Sequence, residues 1–165
     1  HCHRLKDLAV GLGRELGLSS AELNELALTA LLHDIGKVAI PESILTKPGR
    51  LSAKEREMVE EHAEIGARIA AASPDLAFIA EYIHAHHEWW NGRGYPRGLK
   101  GEAIPLIARI TAIVDAYETM TSQRPYRRPV TAEAALEEIE KCSGSQFDPD
   151  LARKFILWMK ISLQK

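Results

Sequence analysis

The sequence is poor in several residue types and patterns, and each shortage excludes a class of protein. Its two cysteines, Cys2 and Cys142, show no metal-ligand spacing and cannot form the disulfide framework of a small secreted domain, so a reducing compartment, the cytoplasm, is expected. No apolar run approaches the roughly 20 residues that span a bilayer. The formal net charge of -2 gives no general attraction to nucleic acid or anionic lipid. We therefore expect no binding of DNA or RNA and no membrane contact by this domain.

The length of 165 residues fits one domain, 1–165, which is long enough to bury a sizeable core. The chain opens with His1-Cys2-His3-Arg4, already in a helical pattern and without an initiator methionine. We therefore expect a domain cut from a longer multidomain protein.

Apolar residues recur at helical spacing along most of the chain, and no strand-like alternation is present. Ser52 and Glu55 form the pattern of a capping box, and Thr131 and Asp148-Pro149 are further helix starts. The fold class expected is all-α, a single bundle of about seven helices. The predicted helices cover residues 5–16, 20–32, 52–72 (with a break near Glu60 as an alternative), 75–88, 103–121, 131–142 and 149–162.

Glycine and proline concentrate in the connecting segments. Residues 34–51 are expected to form a loop with one short turn at 41–45. Residues 89–105 are so rich in both residue types that an irregular, functional loop is predicted, and 122–129 form a second loop with basic and aromatic side chains.

Histidines and aspartates carry the chemistry. All seven histidines fall in four short segments, at 1–3, 33–34, 62 and 84–87. Asp115 lies midway in the most apolar predicted helix, where an ionised carboxylate needs a cation or a donor as partner. A metal ion would supply that partner, and imidazoles mixed with carboxylates suit zinc, iron, manganese or cobalt.

Adjacent helical residues point about 100° apart, so His33-Asp34 and His86-His87 can each straddle two metals. Two ions about 3.5 to 4 Å apart, bridged by Asp34, would form a clamp for in-line attack on phosphorus. Taken singly, each position is more often a solvated or hydrogen-bonded residue. That plainer interpretation fits His3 and His84 best, and Glu88 could support a ligand without being one.

An ordered set of motifs identifies the family. The sequence resembles the HD-GYP family of cyclic di-GMP phosphodiesterases along nearly its whole length. The matching motifs are His33-Asp34-Ile35-Gly36-Lys37, Ile40-Pro41, Lys47-Pro48-Gly49, His62, His86-His87-Glu88, Gly92-Arg93-Gly94-Tyr95-Pro96, Ala108-Arg109-Ile110, Asp115, Thr121 to Tyr126, Ser143-Gly144 and Phe147-Asp148-Pro149.

The resemblance implies an HD-domain helical bundle with a Gly/Pro-rich GYP loop and a bimetal, often di-iron, centre. One ion would be held by His1, His33, Asp34 and Asp115, and the other by Asp34, His62, His86 and His87. Manganese or another divalent transition metal is an alternative to iron. Family members with a third metal use a glutamate just upstream of the first histidine, a region outside this sequence, so a third metal stays open.

The resemblance also implies substrate-binding residues. Lys37 would act as the catalytic electrophile beside Asp34, and Tyr95 would contact substrate from the GYP loop. Arg124, with Arg127 or Arg128, could pair with the second phosphate of a cyclic dinucleotide. The alternatives are a solvated basic loop for the arginines and loop packing for Tyr95.

Other aromatic and polar positions leave alternatives. Trp89 and Trp90 could stack on guanine or simply pack. Two positions depart from the family pattern, since Asn91 and Glu118 stand where aspartate is common.

The implied activity is hydrolysis of cyclic di-GMP to pGpG, with onward hydrolysis to GMP left open. One alternative is a catalytically weak sensor or interaction module that binds a cyclic dinucleotide. The other is a phosphodiesterase for another cyclic dinucleotide such as 3′,3′-cGAMP. Partners expected besides cyclic di-GMP are an upstream sensory or receiver domain, diguanylate cyclase domains and a second copy in a homodimer.

Overall fold

The fold is known from a computed structural model that describes residues 2–123 and 128–164. Across these two ranges the regular elements are helical, and the only β-type pairing is two isolated bridges. The expected all-α bundle is therefore confirmed. The α-helices are α1 (Cys2–Glu15), α2 (Ser20–Leu32), α3 (Glu42–Leu45), α4 (Ala53–Glu60), α5 (His62–Ala71), α6 (Ala80–Ala85), α7 (Leu106–Thr121), α8 (Ala132–Lys141) and α9 (Pro149–Ser162).

Side-chain caps start most of the longer helices. Ser52 and Glu55 form the predicted capping box at α4, and Thr131 caps α8 through the N–H of Ala134. Asp148 caps α9, with Pro149 in the first turn as expected. The cap of α2 is Ser19, one residue before the predicted start, and it also forms a capping box, with Glu22.

Two predicted helices are shorter or divided in the structure. The segment 52–72 is divided at Glu61 into α4 and α5, at the break that the sequence allowed. The segment 75–88 begins with a 3₁₀ turn at Ala77–Ile79 and continues as α6 only to Ala85. His86 and His87 consequently follow a helix end, where the chain is free to change direction.

The main core lies among α1, α2, α7, α8 and α9, around residues such as Leu12, Ile110 and Phe155. A smaller core under α5 and α6 contains Ala70, Ile79 and Ile83. Helix α7 contacts α1, α2, α6, α8 and α9, so it runs through the centre of the bundle. This position places the middle of α7 beside the carboxyl ends of α2 and α6.

In the described part of the chain, no helix combines the length and the apolar content needed to cross a membrane.

Candidate metal centre

Four of the predicted ligands form a tight cluster. One donor atom from each of Asp34, His62, His86 and His87 lies within 4.8 Å of all the others. His62 Nε2 is 3.2 Å from His87 Nε2, 3.4 Å from His86 Nε2 and 3.5 Å from Asp34 Oδ1. Ligands on one transition-metal ion, at about 2.0–2.2 Å from it, lie roughly 3 to 3.5 Å apart. The spacing therefore fits a single shared ion.

A second donor group adjoins the first through Asp34. Its Oδ2 lies 3.6 Å from His33 Nε2, and the same nitrogen is 3.8 Å from Asp115 Oδ1. The two oxygens of Asp34 thus face different groups of donors, as a bridging carboxylate would. His1, the remaining predicted ligand of this group, lies outside the described residues.

Helix ends and backbone carbonyls hold the imidazoles in place. His33 is the C-cap of α2, His62 is the first residue of α5 and His86 is the C-cap of α6. In each ring Nδ1 contacts the carbonyl oxygen three residues earlier, that of Ala30, Val59 or Ile83, at 3.0, 2.6 and 2.5 Å. Because a carbonyl only accepts, Nδ1 must carry the hydrogen, which leaves the Nε2 lone pair directed at the cluster.

The surroundings of the cluster favour neutral imidazoles at His62, His86 and His87 and an ionised carboxylate at Asp34. Burial lowers the pKa of His62, and it lowers the pKa values of His86 and His87 well below their ordinary value. Burial alone would raise the pKa of Asp34, but His33 and the Lys37 ammonium together outweigh it and lower that pKa. These are the protonation states that metal binding requires.

Gly36 allows the segment that follows Asp34 to approach the start of α5, where His62 lies. A Cβ atom at this position would lie 1.9 Å from the carbonyl oxygen of His62 and 2.6 Å from the Gly66 nitrogen. Those neighbours are backbone atoms of α5 and cannot rotate away. Only glycine therefore lets the 3₁₀ segment Ile35–Ala39 pack against α5 and bring Asp34 to His62.

Lys37 lies at the edge of the cluster. Its Nζ is 2.7 Å from Asp34 Oδ2, and its side chain is 38% exposed. An ammonium in this place is half open to solvent while remaining beside the donors. Its predicted role as electrophile is consistent with this position and stays a prediction.

Tyr95 closes one side of the cluster. Its ring stacks on His87 with centroids 4.8 Å apart and an interplanar angle of 27°, and its N–H donates to the His87 carbonyl at 3.2 Å. A Cβ at Gly94 would meet the Trp89 nitrogen at 2.3 Å, so glycine is needed for this close approach. Tyr95 thus packs the loop onto the bundle and also borders the donors.

Glu88 fixes the same loop. Its carboxylate is buried and accepts the N–H of Arg97 at 2.7 Å and that of Leu99 at 2.8 Å. Among the described residues it is not a member of the donor cluster, and its carboxylate supports the backbone of the loop. A role in supporting a metal ligand stays a prediction.

The two tryptophans have different surroundings. Trp90 packs against the Arg109 guanidinium, which lies 5.7 Å from the centroid of its ring. Trp89 is 37% exposed and lines a pocket of 140 Å³ together with His86, His87 and Asp115. Packing therefore accounts for Trp90, whereas Trp89 lies at an opening beside the cluster.

Four other residues singled out in the sequence lie outside the donor cluster. His3 is exposed and His84 is half-buried. Asn91 accepts the N–H of Arg93 at 3.0 Å, and buried Glu118 accepts the Ser122 hydroxyl at 2.5 Å. Within the described ranges, none of these four joins the donor cluster.

Of the three predicted substrate-binding arginines, the structure describes one. Arg124 and Arg127 lie outside the described residues. Arg128 is exposed.

One group of residues was missed from the sequence. A cavity of 440 Å³ lies on the side of Tyr95 where α4 ends, and it is lined by Arg50, Leu51, Arg56, Val59, Glu60 and Tyr95. The sequence feature that could have indicated this group is the pair Arg56 and Glu60, four residues apart and just before His62.

Comparison with known proteins places the chain in a family. A family model described as HD domain matches residues 1–151. The Thermotoga maritima protein named cyclic di-GMP phosphodiesterase is 42% identical over 158 residues, which are 94% of this chain and 43% of that protein. The Vibrio cholerae 3′3′-cGAMP-specific phosphodiesterase 2 is 41% identical over 153 residues, 92% of this chain and 28% of that protein. The chain thus spans less than half the length of these relatives.

Solved structures agree with this assignment. The crystal structure of a cyclic GMP-AMP specific phosphodiesterase of Vibrio cholerae, V-cGAP3, matches with a TM-score of 0.76 and 28% identity, over 97% of this chain and 44% of that one. Bd1817, an HD-GYP-type protein of Bdellovibrio bacteriovorus, matches at a TM-score of 0.74 and 19% identity, which shows the shared fold alone. With the family model, the motifs and the fold in agreement, this chain belongs to the HD domain family and is an HD-GYP member of it.

Proposed function

We propose that this chain is the catalytic domain of a metal-dependent phosphodiesterase that hydrolyses cyclic di-GMP to pGpG. The observation that carries the proposal is the position of Asp34. One of its oxygens lies 3.5 Å from His62 Nε2 and the other 3.6 Å from His33 Nε2. This arrangement supports two neighbouring ions that share one carboxylate, as phosphoester hydrolysis by a two-metal clamp requires.

The donors divide into two groups. His62, His86 and His87 with Asp34 would hold one ion, and His33, Asp115 and Asp34 would hold the other, with His1 as the further predicted ligand. When bound, the ions would supply Lewis-acid polarisation of the phosphoryl group and an activated water. Iron is the ion we propose, with manganese or another divalent transition metal as the alternative, because imidazole and carboxylate donors accept all of these.

The protein itself would position the phosphate and stabilise its charge. The Lys37 ammonium, 2.7 Å from Asp34 and half exposed, can pair with a phosphoryl oxygen held at the cluster. Tyr95 covers the His87 side of the cluster through ring stacking. Arg124, Arg127 and Arg128, which follow Thr121 in the sequence, are proposed to bind the second phosphate.

The names of the relatives suggest two candidate substrates for this chain. The Thermotoga protein carries the name of a cyclic di-GMP phosphodiesterase, and the Vibrio protein that of a 3′3′-cGAMP phosphodiesterase, at nearly equal identity. Cyclic di-GMP is our first proposal and 3′,3′-cGAMP the second. Onward hydrolysis to GMP, a cytoplasmic location, the sensory and cyclase partners and a homodimer stay predictions.

The proposal is tested by elemental analysis of chain purified without oxygen, together with chromatography of the products from both cyclic dinucleotides. We expect bound transition metal and release of pGpG. In Asp34→Ala both should be lost, since Asp34 faces both donor groups, whereas Asp75→Ala, an exposed carboxylate in the turn before α6, should retain both.

Two results would contradict the proposal. Turnover by metal-free protein would rule out the metal centre as the catalyst. Binding of cyclic di-GMP without turnover by fully metallated protein would identify the chain as a sensor module.

A further inference from the structure

The cavity beside Tyr95 combines charges of both signs with apolar walls. Arg50 and Leu51 come from the loop before α4, while Arg56, Val59 and Glu60 come from α4 itself. Its volume of 440 Å³ is within the usual range of small-molecule sites. The size and composition suit a flat, polar ring system better than a bare anion.

The cavity and the donor cluster share two bordering residues, Tyr95 and Val59. Tyr95 lines the cavity and at the same time stacks on His87. Val59 also serves both sites, because it lines the cavity and its carbonyl oxygen holds the His62 ring at 2.6 Å. A ligand in the cavity would therefore contact the same Tyr95 ring that stacks on His87 of the donor cluster.

The loop that carries Arg50 is fixed to α4 before any ligand binds. Lys47 Nζ lies 2.8 Å from both carboxylate oxygens of Glu55, and the Ser52 N–H donates to Glu55 at 2.7 Å. Lys47 first, and Ser52 second, lower the pKa of Glu55 to about 2. The backbone of this loop is consequently tied to α4, which reduces the main-chain entropy lost on binding.

The charged groups in the cavity are available to a ligand. Arg56 and Glu60 lie one turn apart on the same face of α4. Within residues 2–123 and 128–164, no hydrogen bond or ion pair joins the side chains of Arg50, Arg56 or Glu60 to another residue. Glu60 is half-buried, so its carboxylate gains from a donor that enters the cavity.

The presence of both arginines and a glutamate in the cavity favours some parts of a nucleotide over others. A phosphate would suit the arginines but would be repelled by Glu60. Guanine presents N1–H and N2–H donors, which a carboxylate accepts as a pair, next to the O6 and N7 acceptors that a guanidinium binds bidentately. Adenine has no N1–H and carries a donor in place of O6, so it would meet Arg56 with the wrong polarity.

We propose that this cavity is a guanine subsite, in which Glu60 and the arginines recognise the base of the nucleotide whose phosphate lies at the metal cluster. This inference rests on the proposed phosphodiesterase function and deepens it by assigning residues to base specificity. Glu60 is the residue that distinguishes guanine from adenine, and Arg56 and Arg50 support it.

The test is a calorimetric titration of the metal-loaded chain with 5′-GMP and with 5′-AMP, for the wild type, Glu60→Ala and Glu57→Ala. Glu57 is the matched control, since it is an exposed glutamate on the same helix outside the cavity. We expect GMP to bind about tenfold or more tightly than AMP to the wild type and to Glu57→Ala, and this preference to be lost in Glu60→Ala.

The failure of the inference and that of the proposed function give different results. Equal affinity for the two nucleotides, or an unchanged preference in Glu60→Ala, would overturn the guanine subsite even if cyclic di-GMP is hydrolysed. A chain that prefers GMP through Glu60 but hydrolyses no cyclic dinucleotide would support the subsite and contradict the phosphodiesterase.

Discussion

Asp34 and Lys37 show how much depends on single side chains in this centre. The two oxygens of Asp34 face different donor groups, and the Lys37 ammonium lies 2.7 Å from one of these oxygens, Oδ2. A phosphate that enters the cluster would compete with Asp34 for that ammonium. The contribution of Lys37 should therefore be larger in the transition state, where the phosphoryl oxygens gain charge, than in the metal-bound resting protein.

Replacing Lys37 by glutamine should lower kcat by about 100-fold while metal content is retained, because a donor to the developing charge is lost. The measurement is steady-state hydrolysis of cyclic di-GMP together with elemental analysis. Lys54→Gln, an exposed lysine on α4, is the control. An unchanged kcat in Lys37→Gln would contradict the role of electrophile.

The buried histidines should make the metal-free chain sensitive to acid. Burial lowers the pKa values of His86 and His87 well below 6.5, whereas the unfolded chain protonates these rings near that pH. The unfolded state therefore binds more protons below pH 6.5, and the free energy of unfolding should fall as the pH drops from about 7 to 5. Each histidine contributes at most about 1.4 kcal/mol per pH unit.

Urea unfolding in the presence of a chelator, at several pH values, measures this dependence. His86→Gln should give a shallower slope because one buried titrating group is removed. A slope equal to that of the wild type would show that His86 does not contribute.

At the scale of elements, the 3₁₀ segment Ile35–Ala39 and helix α5 are joined by main-chain contact at Gly36. Gly36→Ala should cause loss of bound metal, because the new Cβ would meet the His62 carbonyl oxygen at 1.9 Å and would force Asp34 away from His62. Metal content per chain and the Tm report the change.

Gly13→Ala in α1 is the control for that variant. Its Cβ would meet only leucine methyl groups, at 2.9 Å or more, and these can move. We expect it to cost some stability and to keep its metal. Full metal content in Gly36→Ala would show that the segment can shift without opening the centre.

Elements whose signals are local were predictable from the sequence. Ser52 with Glu55, and Asp148 with Pro149, each define a helix start within four residues, and both are present in the structure. The end of α6 at Ala85 had no such signal, since it results from the turn that carries His86 and His87 into the cluster.

The site was predictable where a motif was contiguous and not where distant segments meet. His33-Asp34 and His86-His87 are visible as pairs, and the structure brings them together with His62 and Asp115. The cavity joins Arg50, α4 and Tyr95, which lie far apart in sequence, and its charged residues resemble an ordinary solvated helix face. The contact of Glu88 with the loop could not be predicted from the sequence either, because its partners are the backbone N–H groups of Arg97 and Leu99.

At the scale of the whole molecule, one buried ion pair joins the central helix to the last one. Arg109 on α7 contacts Asp148 at 2.6 Å, with side chains only 16% and 10% exposed, and Trp90 packs on the same guanidinium. The pair thus connects α7, the start of α9 and the loop that leads to Tyr95.

Asp148→Asn should lower the free energy of unfolding by about 3 kcal/mol, since asparagine can still cap α9 but leaves the Arg109 charge unpaired. Thermal and urea unfolding measure this loss. Asp150→Asn, whose ion pairs with Arg153 and Lys154 are on the surface, should have a much smaller effect. Equal effects of the two variants would show that the buried pair is not important for the bundle.

The main-chain contact at Gly36 also matters for protein engineering. A designer who transplants this centre into a new scaffold, and copies only the histidines and aspartates, would leave out the feature that lets two backbone segments approach so closely. A transplanted centre must therefore also include a glycine at the position of Gly36, opposite the first turn of the helix that begins with His62.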